Sequence, residues 1–365
     1  MLEPASPIYF GCDIEEQFAQ VLSQLTHRTP FDKLFLLTDS FIFDFFGDSF
    51  FFKLKEKYPD TKLYLLPRGE MCKTFSVLQK LCDQLIEKGV TKSSVLIAFG
   101  GGSIGNITGL AAGLIFRGIR FIEAPTTLSH QTDGMLSNKQ AVNGKYGKNH
   151  FGLFHAPIFS WADTQYPGSE SIRFKKSGIV EGIKNALIDQ KEFIQYLETS
   201  IKSNSDYSSQ QLTDLSYKLI ISKLRILKKD PTEKNYGIIL EYGHTFAHAI
   251  EWLSEGSLTH GEAVSIGMKI AAELSAFLGY IDVRTLETHY RLIDDVLGLK
   301  PKLRENFEPG AILETMYADN KKTGKDVKYV LLEKIGECKK GGGDYLIRVD
   351  QESVKQVIET FFQNY

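Results

Sequence analysis

Four short apolar runs, separated by helical stretches, constrain the fold of this chain more than any other feature of its sequence. They are Lys33–Asp39 (KLFLLTD), Lys62–Pro67 (KLYLLP), Ser94–Phe99 (SVLIAF) and Phe121–Pro125 (FIEAP). Between the second and third, Thr74–Gly89 sets Leu78, Leu81 and Leu85 at helical spacing. Runs that are apolar throughout suit strands buried on both faces, and their alternation with helices predicts a mostly parallel sheet. Residues 1–166 therefore read as an α/β domain. Beyond them Lys176–Glu198, Gln210–Lys229, Ile239–Leu253 and Glu262–Gly279 carry helical periodicity. Residues 167–365 read as an all-α domain, and a cleft between two such domains is the default place for a ligand. The phenylalanine-rich run Phe41–Phe52, broken by Asp44, Gly47 and Asp48, reads as a buried helix or turn.

Composition narrows the function classes. The chain has 365 residues, 42% apolar, which is enough for a full core. Its 43 basic and 45 acidic side chains leave a formal charge of −2, so neither nucleic acid nor an anionic membrane is expected as a partner. Cys12, Cys72, Cys82 and Cys338 are scattered without a CxxC pair, the pattern of reduced thiols in a cytoplasmic protein. The N-terminal residues lack a signal-peptide pattern, and no stretch is long and apolar enough to span a bilayer.

Three groups of residues carry chemistry. The strand ending at Phe99 runs into Gly100-Gly101-Gly102-Ser103-Ile104-Gly105 and then a helix. Glycines let a backbone approach an anion, and a helix start supplies free N–H groups. The pattern departs from GxGxxG and lacks the Gly-Lys-Ser/Thr of a P-loop; a packing turn without ligand fits the same spacing. Asp39, at a strand end, is placed either to accept from a ribose diol, which would favour NAD over NADP, or to serve as an ordinary turn residue.

In the helical half, Glu181 stands three residues before Lys184, His244 four before His248, and His260 two before Glu262. His244 and His248 share a helix face. A carboxylate with two imidazoles and one open position is a catalytic zinc set, although spacing alone does not decide which two histidines serve. The third group is Asp133–Asn143 with Lys139, followed by Lys145, Lys148, Asn149 and His150. Arg117 lies upstream, and Lys184 and Lys223 downstream. This set suits a phosphorylated, polyhydroxylated small molecule; a solvated loop has a similar composition.

Taken in order, Glu70-Met-Cys-Lys73, GGGSIGN, Arg117-Gly, Pro125-Thr-Thr127, Asp133–Asn143, Gly147-Lys-Asn149, Glu181-Gly-Ile-Lys184, Gly243–His248 and His260-Gly-Glu-Ala resemble the sugar-phosphate cyclase family, which includes dehydroquinate synthase. The resemblance runs from about Leu34 to Leu332. It implies an NAD-binding α/β domain, a helical metal-binding domain and a homodimer. It implies that Glu181, His244 and His260 hold a Zn2+ or Co2+ ion, and that Glu70, Lys73, Gly101, Gly102, Ser103, Thr126 and Thr127 contact NAD. Asp133, Lys139, Lys148, Asn149, Lys184 and Lys223 match substrate-contacting positions, and Arg117 a phosphate-binding one. His248 falls near the substrate.

Within the family, dehydroquinate synthases carry arginine and asparagine seven and three residues before the first ligand histidine; here Gly237 and Glu241 stand there. Asn106, Gln140 and Asn185 replace the usual Asp, Thr and Tyr of other motifs. These departures, with Leu136–Asn143 and Leu240–Thr245, resemble the 2-deoxy-scyllo-inosose synthase group. An arginine suits a substrate carboxylate, whereas Glu241 would repel one and accept hydrogen bonds from hydroxyls. The implied substrate is D-glucose 6-phosphate. Ser129–Gly134 (SHQTDG) departs from the Ala/Leu-rich and Asp-Ser versions of both groups. Dehydroquinate synthase, another heptulose phosphate cyclase, and an NAD- and metal-dependent polyol dehydrogenase stay open as alternatives.

Overall fold

The computed structural model describes residues 6–27, 29–145, 147–304, 307–319 and 327–365. The chain forms two compact units, Met1–Ser171 with Ser208–Tyr217, and Ile172–Tyr207 with Lys218–Tyr365. In the first, strands and helices alternate: β1 (Ile8–Gly11), α1 (Phe18–Thr26), β2 (Leu34–Asp39), α2 (Asp48–Lys57), β3 (Lys62–Leu66), α3 (Phe75–Glu87), β4 (Val95–Gly100), α4 (Gly102–Leu114) and β5 (Arg120–Pro125). Then follow α5 (Leu128–Thr132), β6 (Lys139–Gly144), β7 (Gly147–Phe154) and β8 (Ser160–Asp163).

Six of these strands make one sheet in the order β1-β8-β5-β4-β2-β3, and every pairing within it is parallel. Every residue of β2 and β4 is buried, which is why both runs are apolar throughout. Alternate residues face opposite cores. Phe35, Leu37, Leu96 and Ala98 meet Leu78, Leu81 and Leu85 of α3 and Ile104, Ile107 and Leu110 of α4. Leu34, Leu36, Val95 and Ile97 meet Phe18 and Leu22 of α1 and Phe50 and Leu54 of α2. The chain passes outward from β2 to β3 on one side and from β4 to β5 on the other. The carboxyl ends of β2 and β4 thus form a topological switch point, where open α/β sheets bind ligands.

Three features differ from the sequence expectation. The run Phe41–Phe52 is helical, with a π-turn at Phe43–Gly47, but only part of it is buried. Phe50 is 1% exposed, whereas Phe41, Phe45 and Phe52 are 42%, 63% and 61% exposed, because one helix can turn only one stripe of aromatics to a sheet. The basic segment around Lys139–Asn149 is an antiparallel hairpin, β6 with β7. β1 and β8 are four-residue strands, too short to show a period in the sequence.

The second unit contains α6 (Ile172–Ile188), α7 (Phe193–Ser200), α9 (His244–Leu253) and α10 (His260–Phe277), with helix α8 (Ser209–Lys229) divided between the units. Further helices span Val283–Tyr290, Gly310–Asp319 and Gln351–Gln363. Two short antiparallel ribbons accompany them, Lys328–Tyr329 with Ile347–Arg348 and Leu332–Lys334 with Glu337–Cys338. Among the described residues no helix is long and apolar enough to cross a membrane.

Asp163 ties the end of β8 to the exit of β1. Its buried carboxylate accepts from the backbone N–H of Asp13 (2.9 Å), Ile14 (2.7 Å) and Gln165 (3.0 Å), and from Gln165 Nε2 (2.8 Å). Asp163→Ala should leave these donors without their acceptor and lower stability by about 3 kcal/mol. Urea denaturation of the variant against the parent measures this.

Candidate active site

The second unit brings three potential metal ligands together from three helices. Among the described residues, Glu181, His244 and His260 offer ligand atoms that all lie within 4.8 Å of one another. Glu181 Oε1 is 3.6 Å from His244 Nε2 and 3.4 Å from His260 Nε2. The helices reach this proximity through glycine contacts. A Cβ on Gly261 would lie 2.2 Å from the Ser177 carbonyl of α6, and one on Gly267 would lie 2.3 Å from the Gly243 carbonyl before α9.

Both imidazoles are oriented for a cation. His244 Nδ1 donates to the Tyr242 carbonyl and His260 Nδ1 to the Glu251 carboxylate, each at 3.2 Å, which turns both Nε2 atoms towards Glu181. A ligand histidine held through its other nitrogen is the usual arrangement at a metal. Among the described residues, none gives either oxygen of the buried Glu181 carboxylate an aligned hydrogen bond. This donor set fits Zn2+ or Co2+.

Charge is balanced tightly around it. Burial alone would raise Glu181, but the Lys184 ammonium 2.5 Å away and the two histidines hold it well below the usual carboxylate range. Burial, helped by Lys184, pushes His244 down to about 3 against the pull of Glu181 and Glu241. Burial would also depress His260, yet Glu251 and Glu181 outweigh it and hold the ring at about 10. His248 stands beside this set, its ring centroid 5.5 Å from that of His244. Glu241 closes the 3-10 turn Tyr236–Glu241 that leads into α9. Lys223 is buried on α8.

In the first unit, the glycine turn sits at the carboxyl end of β4. Gly101 caps α4 without any side-chain hydrogen bond, so the first N–H groups of a 13-residue helix are left for an anion. A Cβ on Gly102 would meet only ordinary contact, 3.5 Å from His130 Nδ1, so packing does not demand glycine there. Ser103 lies in the first turn. Thr126 N–H donates to the Gly100 carbonyl, and Thr127 caps α5 beside Gly101. These features fit a dinucleotide pyrophosphate. Asp39 spends one carboxylate oxygen on the Ile42 N–H as a helix cap.

Within the first unit, Glu70 and Lys73, expected to contact cofactor, and Lys148 and Asn149, expected to contact substrate, meet in one network. Lys73 Nζ donates to Asn149 Oδ1 (2.6 Å) and Lys148 Nζ pairs with Glu70 Oε1 (2.9 Å). Asn143 joins them, donating to Glu70 Oε2 (2.9 Å) and accepting from the Asn149 N–H (3.0 Å). Asn149 adopts φ 54°, a left-handed conformation that asparagine tolerates. Asp133 and Lys139 flank the turn Gly134–Leu136, just ahead of β6. Arg117 is placed apart: it is exposed beyond the far end of α4, roughly 20 Å of helix from the glycine turn.

Comparison with known proteins agrees with this geometry. The family models described as 3-dehydroquinate synthase N-terminal and C-terminal match residues 63–171 and 178–322. A 2-deoxy-scyllo-inosose synthase of Micromonospora echinospora is 34% identical over 331 residues, covering 89% of this chain and 83% of that protein. The chain belongs to the 3-dehydroquinate synthase family of sugar-phosphate cyclases. A 3-dehydroquinate synthase of Thermoanaerobacter pseudethanolicus is 32% identical, with 98% of each chain covered. The crystal structure of a 2-deoxy-scyllo-inosose synthase complexed with carbaglucose-6-phosphate, NAD+ and Co2+ superposes with a TM-score of 0.86 at 31% identity, covering 97% and 96% of the two chains.

The positions at which this cyclase departs from dehydroquinate synthases do not all face ligands. Gln140 turns inward, its Nε2 3.5 Å from Glu123 Oε1 and 3.4 Å from the His155 carbonyl. Asn185 donates to Ser222 Oγ (2.9 Å) in the core between α6 and α8. Gly237 packs against the Asp230 turn, where a Cβ would come within 3.0 Å of the Asp230 carbonyl. Glu241 is the one of these four whose charge acts on a candidate ligand, His244.

Sequence reasoning missed Glu251 and left Asn143 without a role. The signal for Glu251 was present: His244, His248 and Glu251 stand at positions 0, +4 and +7 of one helix face. His244→Ala should weaken Zn2+ or Co2+ binding at least about 100-fold and Glu251→Gln about 10- to 100-fold, read by titration calorimetry. Since binding must expel the proton that Glu251 and Glu181 hold on His260, metal affinity should rise with pH across the neutral range and stop rising above about 10.

Proposed function

We propose that this chain is a 2-deoxy-scyllo-inosose synthase, converting D-glucose 6-phosphate to 2-deoxy-scyllo-inosose and phosphate with no net redox change. The observation that carries the reading is Glu241, whose charge acts on the metal-capable His244 where dehydroquinate synthases have asparagine. The likeness to a cyclase solved with carbaglucose-6-phosphate, NAD+ and Co2+ supports it.

Glu181, His244 and His260 would hold the metal, and Gly101, Gly102, Ser103, Glu70, Lys73, Thr126 and Thr127 the NAD+. When bound, the two supply a reversible hydride acceptor and a Lewis acid for a substrate oxygen. The chain's own residues do the rest. Lys139, Lys148, Lys184 and Lys223 provide cations for phosphate and for oxygens that gain charge, and Asn149 orients the sugar. Glu241 accepts from ring hydroxyls. Asp133 and His248 are the groups able to take or return a proton at a bound hydroxyl. The same reading assigns residues 1–166 to cofactor and 167–365 to metal and substrate. It expects a cytoplasmic homodimer serving aminocyclitol formation.

Purified protein with glucose 6-phosphate, NAD+ and Co2+ should release one phosphate per 2-deoxy-scyllo-inosose formed, without lasting absorbance at 340 nm. Turnover of 3-deoxy-D-arabino-heptulosonate 7-phosphate instead would make it a dehydroquinate synthase, and steady NADH accumulation a polyol dehydrogenase. Glu241→Gln should lower kcat/KM for glucose 6-phosphate by about 10- to 100-fold while metal content stays constant. Unchanged kinetics would remove the argument from Glu241. The single change is the cleaner test, because arginine at Gly237 would also disturb the Asp230 turn.

A further inference from the structure

Behind the glycine turn the first unit buries three polar side chains that no substrate, cofactor or metal role uses. Glu123, on β5, is 1% exposed, His130, on α5, 4%, and Gln140, on β6, 1%. Glu123 Oε1 lies 3.5 Å from Gln140 Nε2 and 3.9 Å from His130 Nε2. Among the described residues, none donates a hydrogen bond to Glu123 Oε2. The elements packed around this carboxyl bring His130 from α5, Gln140 from β6, Gly105 from α4, and Ala98 and Ser160 as register partners on β4 and β8.

The cluster is wedged against glycines that belong to functional segments. A Cβ on Gly105, one turn into α4, would stand 2.4 Å from His130 Nε2. A Cβ on Gly134, next to Asp133, would stand 2.3 Å from His130 Nδ1, and one on Gly109 would stand 2.4 Å from Gln140 Cδ. Gln140 itself follows Lys139. The unusual SHQTDG segment is thereby explained: the residue after Asp133 is glycine because the His130 ring fills the space a serine side chain would need.

We propose that Glu123, His130 and Gln140 form a buried positioning cluster that holds the glycine turn in register with Asp133 and Lys139. None of the three touches substrate or cofactor; they act through the segments they join. The kinetic part of this inference rests on the cyclase reading above. Burial pushes the Glu123 carboxyl up to about 8, with the Gln140 amide pulling the other way, so at neutral pH it is a neutral group with a proton to share.

Three variants test this: Glu123→Gln, which keeps the shape and cannot ionise, Glu123→Leu and His130→Ala. Glu123→Leu and His130→Ala should lower kcat at least about tenfold, since misplacement by an ångström can cost up to about 100-fold, with KM for glucose 6-phosphate within about threefold. Both should weaken NAD+ binding, measured directly by calorimetry, so the cluster can be judged even if glucose 6-phosphate proves not to be the substrate. Glu123→Gln should restore most of the lost kcat at pH 7. The native state holds a proton that the unfolded chain releases near its ordinary value, so the parent should lose stability as pH rises towards about 8. The Tm advantage of Glu123→Gln over the parent should therefore widen between pH 5 and pH 8. The proposal is overturned if folded Glu123→Leu and His130→Ala keep the parent kcat and NAD+ affinity, or if Glu123→Gln fares no better than Glu123→Leu.

Discussion

A carboxylate carried into a protein interior has to be met by positive charge, and Glu181 imposes that condition on the second unit. Lys184 meets it one turn along the same helix, 2.5 Å away. His260 meets it from α10, His244 presents a neutral ring from α9, and a bound cation would complete the balance. Helices can converge on one carboxylate only if their backbones approach closely. The contacts of Gly261 with Ser177 and of Gly267 with Gly243 allow that approach. Glu251 and the Tyr242 carbonyl then turn the imidazoles inward. The ligand triad, the glycine contacts and the orienting acceptors are one solution to one electrostatic problem.

The first unit solves a different problem, that of leaving donors free for an anion in an otherwise satisfied structure. Its parallel sheet delivers the carboxyl ends of β2 and β4 to the switch point, and α4 begins there without a side-chain cap. Glu70, Lys73, Asn143, Lys148 and Asn149 knit the segment before α3 to the β6–β7 hairpin. The cluster of Glu123, His130 and Gln140 is packed against Gly105 and Gly109 of α4 and against Gly134.

Subtype is written more sparsely than family. Five positions separate this chain from the dehydroquinate synthase pattern, yet Gln140 and Asn185 hydrogen-bond within the core and Gly237 packs against a turn. Glu241 alone acts electrically on a candidate ligand. Under the proposed function, a carboxylate in place of a neutral carboxamide at this position would repel a second anion and accept from hydroxyls.

What the amino-acid sequence by itself determined is local and periodic. Apolar runs such as Leu34–Asp39 and Val95–Gly100 announced buried parallel strands, and the spacing of His244 and His248 announced a polar helix face. The ordered motifs announced the family. Short elements escaped, since β1, β8 and the C-terminal ribbons offer too few residues to show a period. Spacing alone did not decide which histidines share a carboxylate, since His244 and His260 stand 16 residues apart; the motif resemblance named the pair, and the tertiary structure brings their ligand atoms to Glu181 from different helices. Only the tertiary structure decided that Gln140 looks inward and that Gly134 makes room for His130. Those outcomes depend on distances between segments remote in sequence, which packing sets and periodicity does not encode.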